Sequence, residues 1–236
     1  MPETKPTWRT DRSLEGFYTT HLPARPDAPV RTFLPTNYQP KYAYPLVVLL
    51  HGDGGGEEHA ARLAPLLSRR NYVCVGLRGT ANVGPRDDGR TAFGWGGTDL
   101  QLADYLRAAI AHTRQSYAIH PGRVYLLGVC EGADVAYRAG LRMPGEVAGV
   151  VALNGRLAVR PGRVRGLRVM VGHGAANPVV AHAAAQRDAR RLATAGADVR
   201  FLSYPTTHKL HPDMLRDVNR WIMAGITADA DAPMKD

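Results

Sequence analysis

The chain has 236 residues, 44% of them apolar, which suits one α/β domain with one substantial core. Its formal net charge of +9 raises nucleic acid as a partner, but the arginines of "RRNY", "GRVRGLR" and "RDARR" are spread along the chain without the interleaved aromatics of a base-stacking surface, so none is expected. No stretch approaches the ~18 apolar residues of a membrane span, and the polar start MPETKPTWRT lacks an apolar leader, so a cytoplasmic protein without membrane insertion is expected.

Residues 1–15 read as a flexible tail, 16–226 as a single domain and 227–236 as a second flexible tail. Two strand-like segments, "GFYTTHL" and "VRTFLP", come first. After them, apolar runs alternate with helix-like segments, the rhythm of a parallel sheet with crossover helices. The runs are "PLVVLLHG" (45–52), "YVCVGLRG" (72–79), "RVYLLGV" (123–129), "VAGVVALNG" (147–155), "LRVMVGHG" (167–174) and "DVRFLSYP" (198–205), each apolar enough for a strand covered on both faces. Helices are expected over 57–70, 98–117, 131–142, 179–195 and 212–225. The second opens on Thr98 and Gln101, the spacing of a capping box, and the last on Pro212.

Ligands of open parallel sheets gather beyond the carboxyl ends of the strands. Three such ends carry unusual chemistry. The first is "LLGVCEGADVAY", in which Gly128 and Gly132 bracket Cys130 between a strand and a helix. A nucleophile on a sharp strand-to-helix turn needs that freedom from side chains two residues away on each side, and the helix amino terminus favours thiolate over thiol. Cys74, inside "YVCVGL", reads instead as a small buried hydrophobe, and the two cysteines are too few for a disulfide scaffold or a zinc site.

The second is "LLHGDGGGEE", whose glycines turn backbone amides toward a ligand. The main-chain N–H groups of Asp53 and Glu131 are the candidate oxyanion hole, and His51 reads as a structural hydrogen-bonding residue. The loop lacks the Gly-Lys-Ser/Thr ending of a phosphate cradle. The third comprises "GHGAANPVV" and "YPTTHKLHPDML". They supply Asn177 and His208 in the chain order nucleophile, orienting residue, histidine, with His211 as the rival base. Phe93 and Trp95, in the loop after the 72–79 strand, are candidates to wall a substrate pocket.

Together, "PLVVLLHGDGG", "GVCEGA", "GHGAANPVV" and "THKLHPDMLRDVNRWI" resemble the α/β-hydrolase superfamily over about residues 30–225. The likeness is greatest to its small carboxylesterase and phospholipase-like branch and to the dienelactone hydrolases. The resemblance implies an eight-stranded, mostly parallel sheet with helices on both faces and no large cap domain. It also implies ester hydrolysis through an acyl-enzyme; from the residues themselves no metal and no cofactor are expected. In that branch the nucleophile is usually serine and the residue at position 177 aspartate; the dienelactone hydrolases use cysteine but keep the aspartate.

The two departures fit one another. With a serine nucleophile, replacing the orienting carboxylate by an amide costs on the order of ten-thousandfold in turnover. A thiol, with an ordinary pKa of about 8.5, can pass its proton to histidine and rest as thiolate facing imidazolium, so the orienting group need not be an anion. The expectation is a Cys130–His208–Asn177 triad acting on a small ester or thioester. Acyl transfer by the same cysteine, or a noncatalytic pocket with a degenerate triad, are the alternatives.

Overall fold

The computed structural model describes residues 16–231. Eight strands form one sheet in the order β1-β2-β4-β3-β7-β8-β9-β10. They are β1 (Phe17–Leu22), β2 (Arg25–Phe33), β3 (Tyr44–Leu50), β4 (Val73–Leu77), β7 (Ile119–Val129), β8 (Gly149–Leu153), β9 (Arg168–Gly174) and β10 (Asp198–Tyr204). Pairing is antiparallel for β1 with β2 and for β2 with β4, and parallel across the rest. All eight expected strands are present.

A separate hairpin, β5 (Ala81–Pro85) with β6 (Thr91–Gly94), occupies the segment after β4 that the sequence presents as loop. Its strands are short, carry Gly84 and Pro85, and bury little, so neither length nor alternation marks them.

The helices are α1 (Glu57–Ala61), α2 (Ala64–Leu67), α3 (Asp99–Ser116), α4 (Glu131–Gly140), α5 (His182–Thr194) and α6 (Pro212–Asp231). The single helix expected over 57–70 is two short ones. Pro65, in the first turn of α2, lacks the N–H that a continuous helix would need and crowds the preceding turn. Helix α6 continues through Asp231, past the domain end expected at 226, whereas the tail expected over 1–15 lies outside the described residues.

Strand alternation sorts the core onto two faces. Leu46, Val48, Leu50, Leu126 and Val150 pack with α3, α4 and α5 through Leu106, Val135 and Leu192. Val47, Leu49, Leu127 and Val151 pack against α1, α2 and α6 through Ala60, Leu67 and Val218. This double cover is why the central strands read as continuous apolar runs. Among the described residues, no helix is long and apolar enough to cross a membrane.

The chain leaves β3 toward β4 on one side and returns to β7 on the other, so connections diverge at the β3/β7 pair. Such a switch point opens a crevice at the strands' carboxyl ends, here between Gly52 and Cys130.

The Thr98 capping box forms as expected, with Gln101 N–H donating to Thr98 Oγ1 and Thr98 N–H to Gln101 Oε1 at 2.9 Å. Thr98→Ala is therefore expected to lower stability by about 1 kcal/mol. Urea unfolding should show a reduced midpoint with an unchanged slope.

Candidate active site

Cys130 is the cap residue between β7 and α4, with φ 54° and ψ −116°. A non-glycine residue in this region is strained, and the surroundings hold it there. A Cβ on Gly128 would overlap the Gly132 carbonyl, and one on Gly132 would overlap the carbonyls of Leu50 and His51. On the other side, a Cβ on Gly52 would stand 3.1 Å from Cys130 Cβ. The Cys130 N–H donates to Leu153 O at 2.9 Å, locking the turn to β8.

Asn177 and His208, contributed by the loops after β9 and β10, meet: His208 Nδ1 lies 3.1 Å from Asn177 Oδ1. The orientation of the amide follows from its neighbours. Asn177 Oδ1 also accepts the N–H groups of Val179 and Val180, both at 3.0 Å, so the oxygen must face this way. An oxygen can only accept, so His208 carries its proton on Nδ1 and leaves Nε2 as the basic nitrogen. These bonds also explain why α5 begins at His182 rather than near 179: the preceding amides are committed to the Asn177 side chain.

Sequence reasoning missed Asn154. Fully buried, with φ 55°, its Oδ1 accepts from Gly174 N–H at 2.9 Å and lies 3.4 Å from Asn177 Nδ2, while its Nδ2 donates to His208 O and Lys209 O. It ties the loops that carry Asn177 and His208. The only signal for it was a polar residue followed by glycine at the end of the apolar run "VAGVVALNG".

Cys130 and His208 line one cleft of about 280 Å³ with Asp53, Glu131, Arg156 and Val179. No hydrogen bond joins the thiol to the imidazole among the described residues. Burial, followed by the Asp53 carboxylate, pushes the Cys130 thiol up to about 11. The resting thiolate expected from the sequence is therefore disfavoured, because desolvation and a neighbouring anion outweigh the helix terminus. Neither main-chain N–H, of Asp53 or of Glu131, has a hydrogen-bond partner among the described residues. The Glu131 side chain accepts from Trp95 N–H at 3.2 Å, and burial, helped by the facing Asp53 carboxyl, raises its pKa.

His51 is buried and neutral. Its Nε2 accepts from Gly79 N–H at 2.8 Å and its Nδ1 lies 2.7 Å from Gly52 O, an arrangement that braces the loop after β3. Burial lowers its pKa. Trp95 and Phe93 do not line the cleft. Trp95 is buried against the His51 ring and donates its indole N–H to His51 O at 3.0 Å, while Phe93 lies under the Arg78 guanidinium, and its N–H donates to Gly55 O at 3.1 Å. Both brace the glycine loop, Phe93 from within β6 and Trp95 from just after it. His211 accepts from Asp213 N–H at 3.2 Å and stacks on Tyr204, which engages it away from Asn177. Cys74 is buried, and neither cysteine is bridged. Among the described residues no cluster of His, Cys, Asp or Glu could hold a metal ion.

The raised thiol has a direct consequence. At pH 7 iodoacetamide should alkylate Cys130 about two orders of magnitude more slowly than an ordinary cysteine, since the thiolate fraction falls tenfold per unit of pKa. Asp53→Asn removes the anion that raises the thiol, so the pH midpoint of alkylation should move down. A midpoint unchanged in that variant would refute the electrostatic assignment.

The chain is similar to known proteins. The phospholipase/carboxylesterase family model matches residues 98–226, which include Cys130, Asn177 and His208. NocK of Nocardia uniformis subsp. tsuyamanensis, named as an esterase, is 30% identical over 130 residues, 51% of this chain and 36% of NocK; the chain thus spans about a third of that relative's length. Among solved structures, a carboxylesterase from Mesorhizobium loti superposes with a TM-score of 0.67 at 22% identity, covering 89% of this chain and 99% of its own. Arabidopsis thaliana SOBER1 gives 0.65 at 16% identity, covering 78% and 100%. These similarities establish the α/β-hydrolase fold, and no cap domain interrupts it among the described residues. By the extent of the family match, the chain belongs to the phospholipase/carboxylesterase family.

Proposed function

We propose that this chain hydrolyses carboxylic esters or thioesters of modest size through a covalent acyl-cysteine. The observation that carries the reading is the hydrogen bond of 3.1 Å that presents His208 with Nε2 free, across a shared cleft from a cysteine on a strained turn. Cys130 is the nucleophile, His208 the base, Asn177 its orienting partner, and the N–H groups of Asp53 and Glu131 the oxyanion donors. The cysteine in place of serine resembles the dienelactone hydrolases.

In this mechanism His208 Nε2 takes the thiol proton as sulfur attacks the carbonyl carbon. The carbonyl π electrons move onto oxygen, where the two amides receive the charge. Collapse expels the alcohol or thiol, which takes the proton back from the imidazolium. Water then adds to the acyl-cysteine with His208 as base, releasing the carboxylic acid and restoring the thiol. Because the thiol starts protonated, proton transfer belongs to the attack itself, and the His208 side chain has to swing toward sulfur to perform it. Asn177 fixes the tautomer but offers the imidazolium no anion.

A noncatalytic pocket is the second reading, favoured by the raised thiol and by the missing Cys130–His208 hydrogen bond. A chromogenic short-chain ester separates the two: the hydrolytic reading expects turnover in the wild type, abolished in Cys130→Ala, with an acyl adduct of Cys130 detectable by mass spectrometry. Equal rates in the two proteins would reject it.

Asn177→Asp is a sharper probe of the base. A carboxylate can accept the same Val179 and Val180 N–H groups while stabilising the imidazolium, so kcat at pH 7 should rise by about tenfold or more. A fall with the fold intact would show that Asn177 does not orient the base.

A further inference from the structure

Between positions 156 and 191 the sequence holds eight arginines against one aspartate, in a chain whose net charge is +9. Spread along the sequence, four of them gather in the fold. The segment after β8 runs down the flank of α5, where Arg191 donates to Val159 O at 3.0 Å and Val164 N–H to Ala195 O at 2.9 Å. Arg160, Arg163, Arg190 and Arg191 then line a cavity of about 630 Å³ together with Pro161 and Thr194. Arg191 is paired with Asp188 at 2.8 Å. Arg160, Arg163 and Arg190 are exposed and in no ion pair among the described residues.

The lining contains no carboxylate to neutralise these charges and no aromatic ring on which a base could stack. Guanidiniums outside any ion pair, lining one open and shallow site, suit a compact oxyanion, which they can grip through paired N–H donors. The cavity also adjoins the cleft. Arg156 and Ala158 line the cleft and Arg160 lines the cavity, and two residues of chain span at most about 7 Å.

We propose that this cavity binds the phosphate or diphosphate of an acyl donor whose ester or thioester is presented to Cys130. The proposal rests on the acyl-cysteine reading above and assigns the substrate's leaving group: an alcohol or thiol that bears phosphate. Phosphate anchors the donor on the flank, and the neutral arm crosses the 156–159 segment into the cleft.

The test compares hydrolysis of acetyl coenzyme A with that of S-acetyl pantetheine, the same thioester and arm without phosphate. Wild type should favour the former by about tenfold or more in kcat/KM, through KM, and the preference should shrink between 50 and 200 mM salt, as expected for exposed charges. Arg160→Gln/Arg163→Gln should lose the preference. Arg69→Gln/Arg70→Gln, with the same change of charge at the opposite end of the sheet before β4, should keep it. Equal kcat/KM for the two thioesters in wild type, or a preference that survives in Arg160→Gln/Arg163→Gln, overturns the assignment.

Calorimetric titration with pyrophosphate separates this proposal from the one beneath it. Binding that disappears in Arg160→Gln/Arg163→Gln supports the cavity even where neither thioester is hydrolysed, a failure that falls on the acyl-cysteine reading. Absence of pyrophosphate binding to wild type overturns the cavity, whatever the turnover.

Discussion

The contact between the carboxyl end of β7 and the first turn of α4 sets everything else at this site. Gly128 lies against the Gly132 carbonyl, and Gly132 against those of Leu50 and His51, so strand, helix and the end of β3 meet with no side chains between them. That closeness imposes the positive φ of Cys130 and turns its side chain out of the sheet into the crevice where the connections diverge. A single Cβ at either glycine would push the helix away and carry the Glu131 amide with it. The strain at Cys130 is held by the double-faced core of the central strands, at whose end the elbow sits.

Upon that rigid turn the other side of the cleft is assembled from loops, and one buried asparagine holds them. Asn154, fully buried at the end of β8, spans the strand that follows Cys130 and the loops after β9 and β10. Asn177 in turn is fixed by two backbone amides before it meets His208. The orientation of the histidine thus derives from main-chain geometry through two carboxamides, a chain of neutral groups. Such a chain can specify a tautomer as firmly as a carboxylate does, but it supplies no charge. It stands beside a thiol held above its usual range by burial and Asp53, so neither partner brings an opposite charge to the other.

The strands were legible because burial on both faces removes polar residues from them, as in "PLVVLLHG", and the elbow because glycine at both offsets from a cysteine is rare without cause. The capping box of α3 was legible for the same local reason. What escaped depends on spatial partners. Phe93 and Trp95 looked like pocket walls since aromatic residues among glycines after a strand invite that reading, yet the hairpin β5–β6, too short to be recognised, turns them onto the back of the glycine loop. Asn154 was invisible because its partners lie 20 and more positions away in the chain. The protonation of Cys130 was misjudged because a helix amino terminus is written in the sequence, whereas the depth of a side chain is not.

The same distinction governs charge. Around Cys130 the cleft gathers the carboxyls of Asp53, Glu131 and Asp134 beside Arg156, while Arg160, Arg163, Arg190 and Arg191 collect on the adjoining flank. Carboxyls close to the Cys130 sulfur discourage an anionic group from entering the cleft, and guanidiniums just outside it attract one. An anionic acyl donor approaching this surface would experience both effects at once and arrive with its charged end on the flank and its carbonyl toward the elbow. The Asp53 carboxylate, which adds to burial in lifting the thiol pKa, would also help such a surface tell the two ends of that molecule apart. The polarity of the cleft and that of the flank would then be two halves of one orienting field.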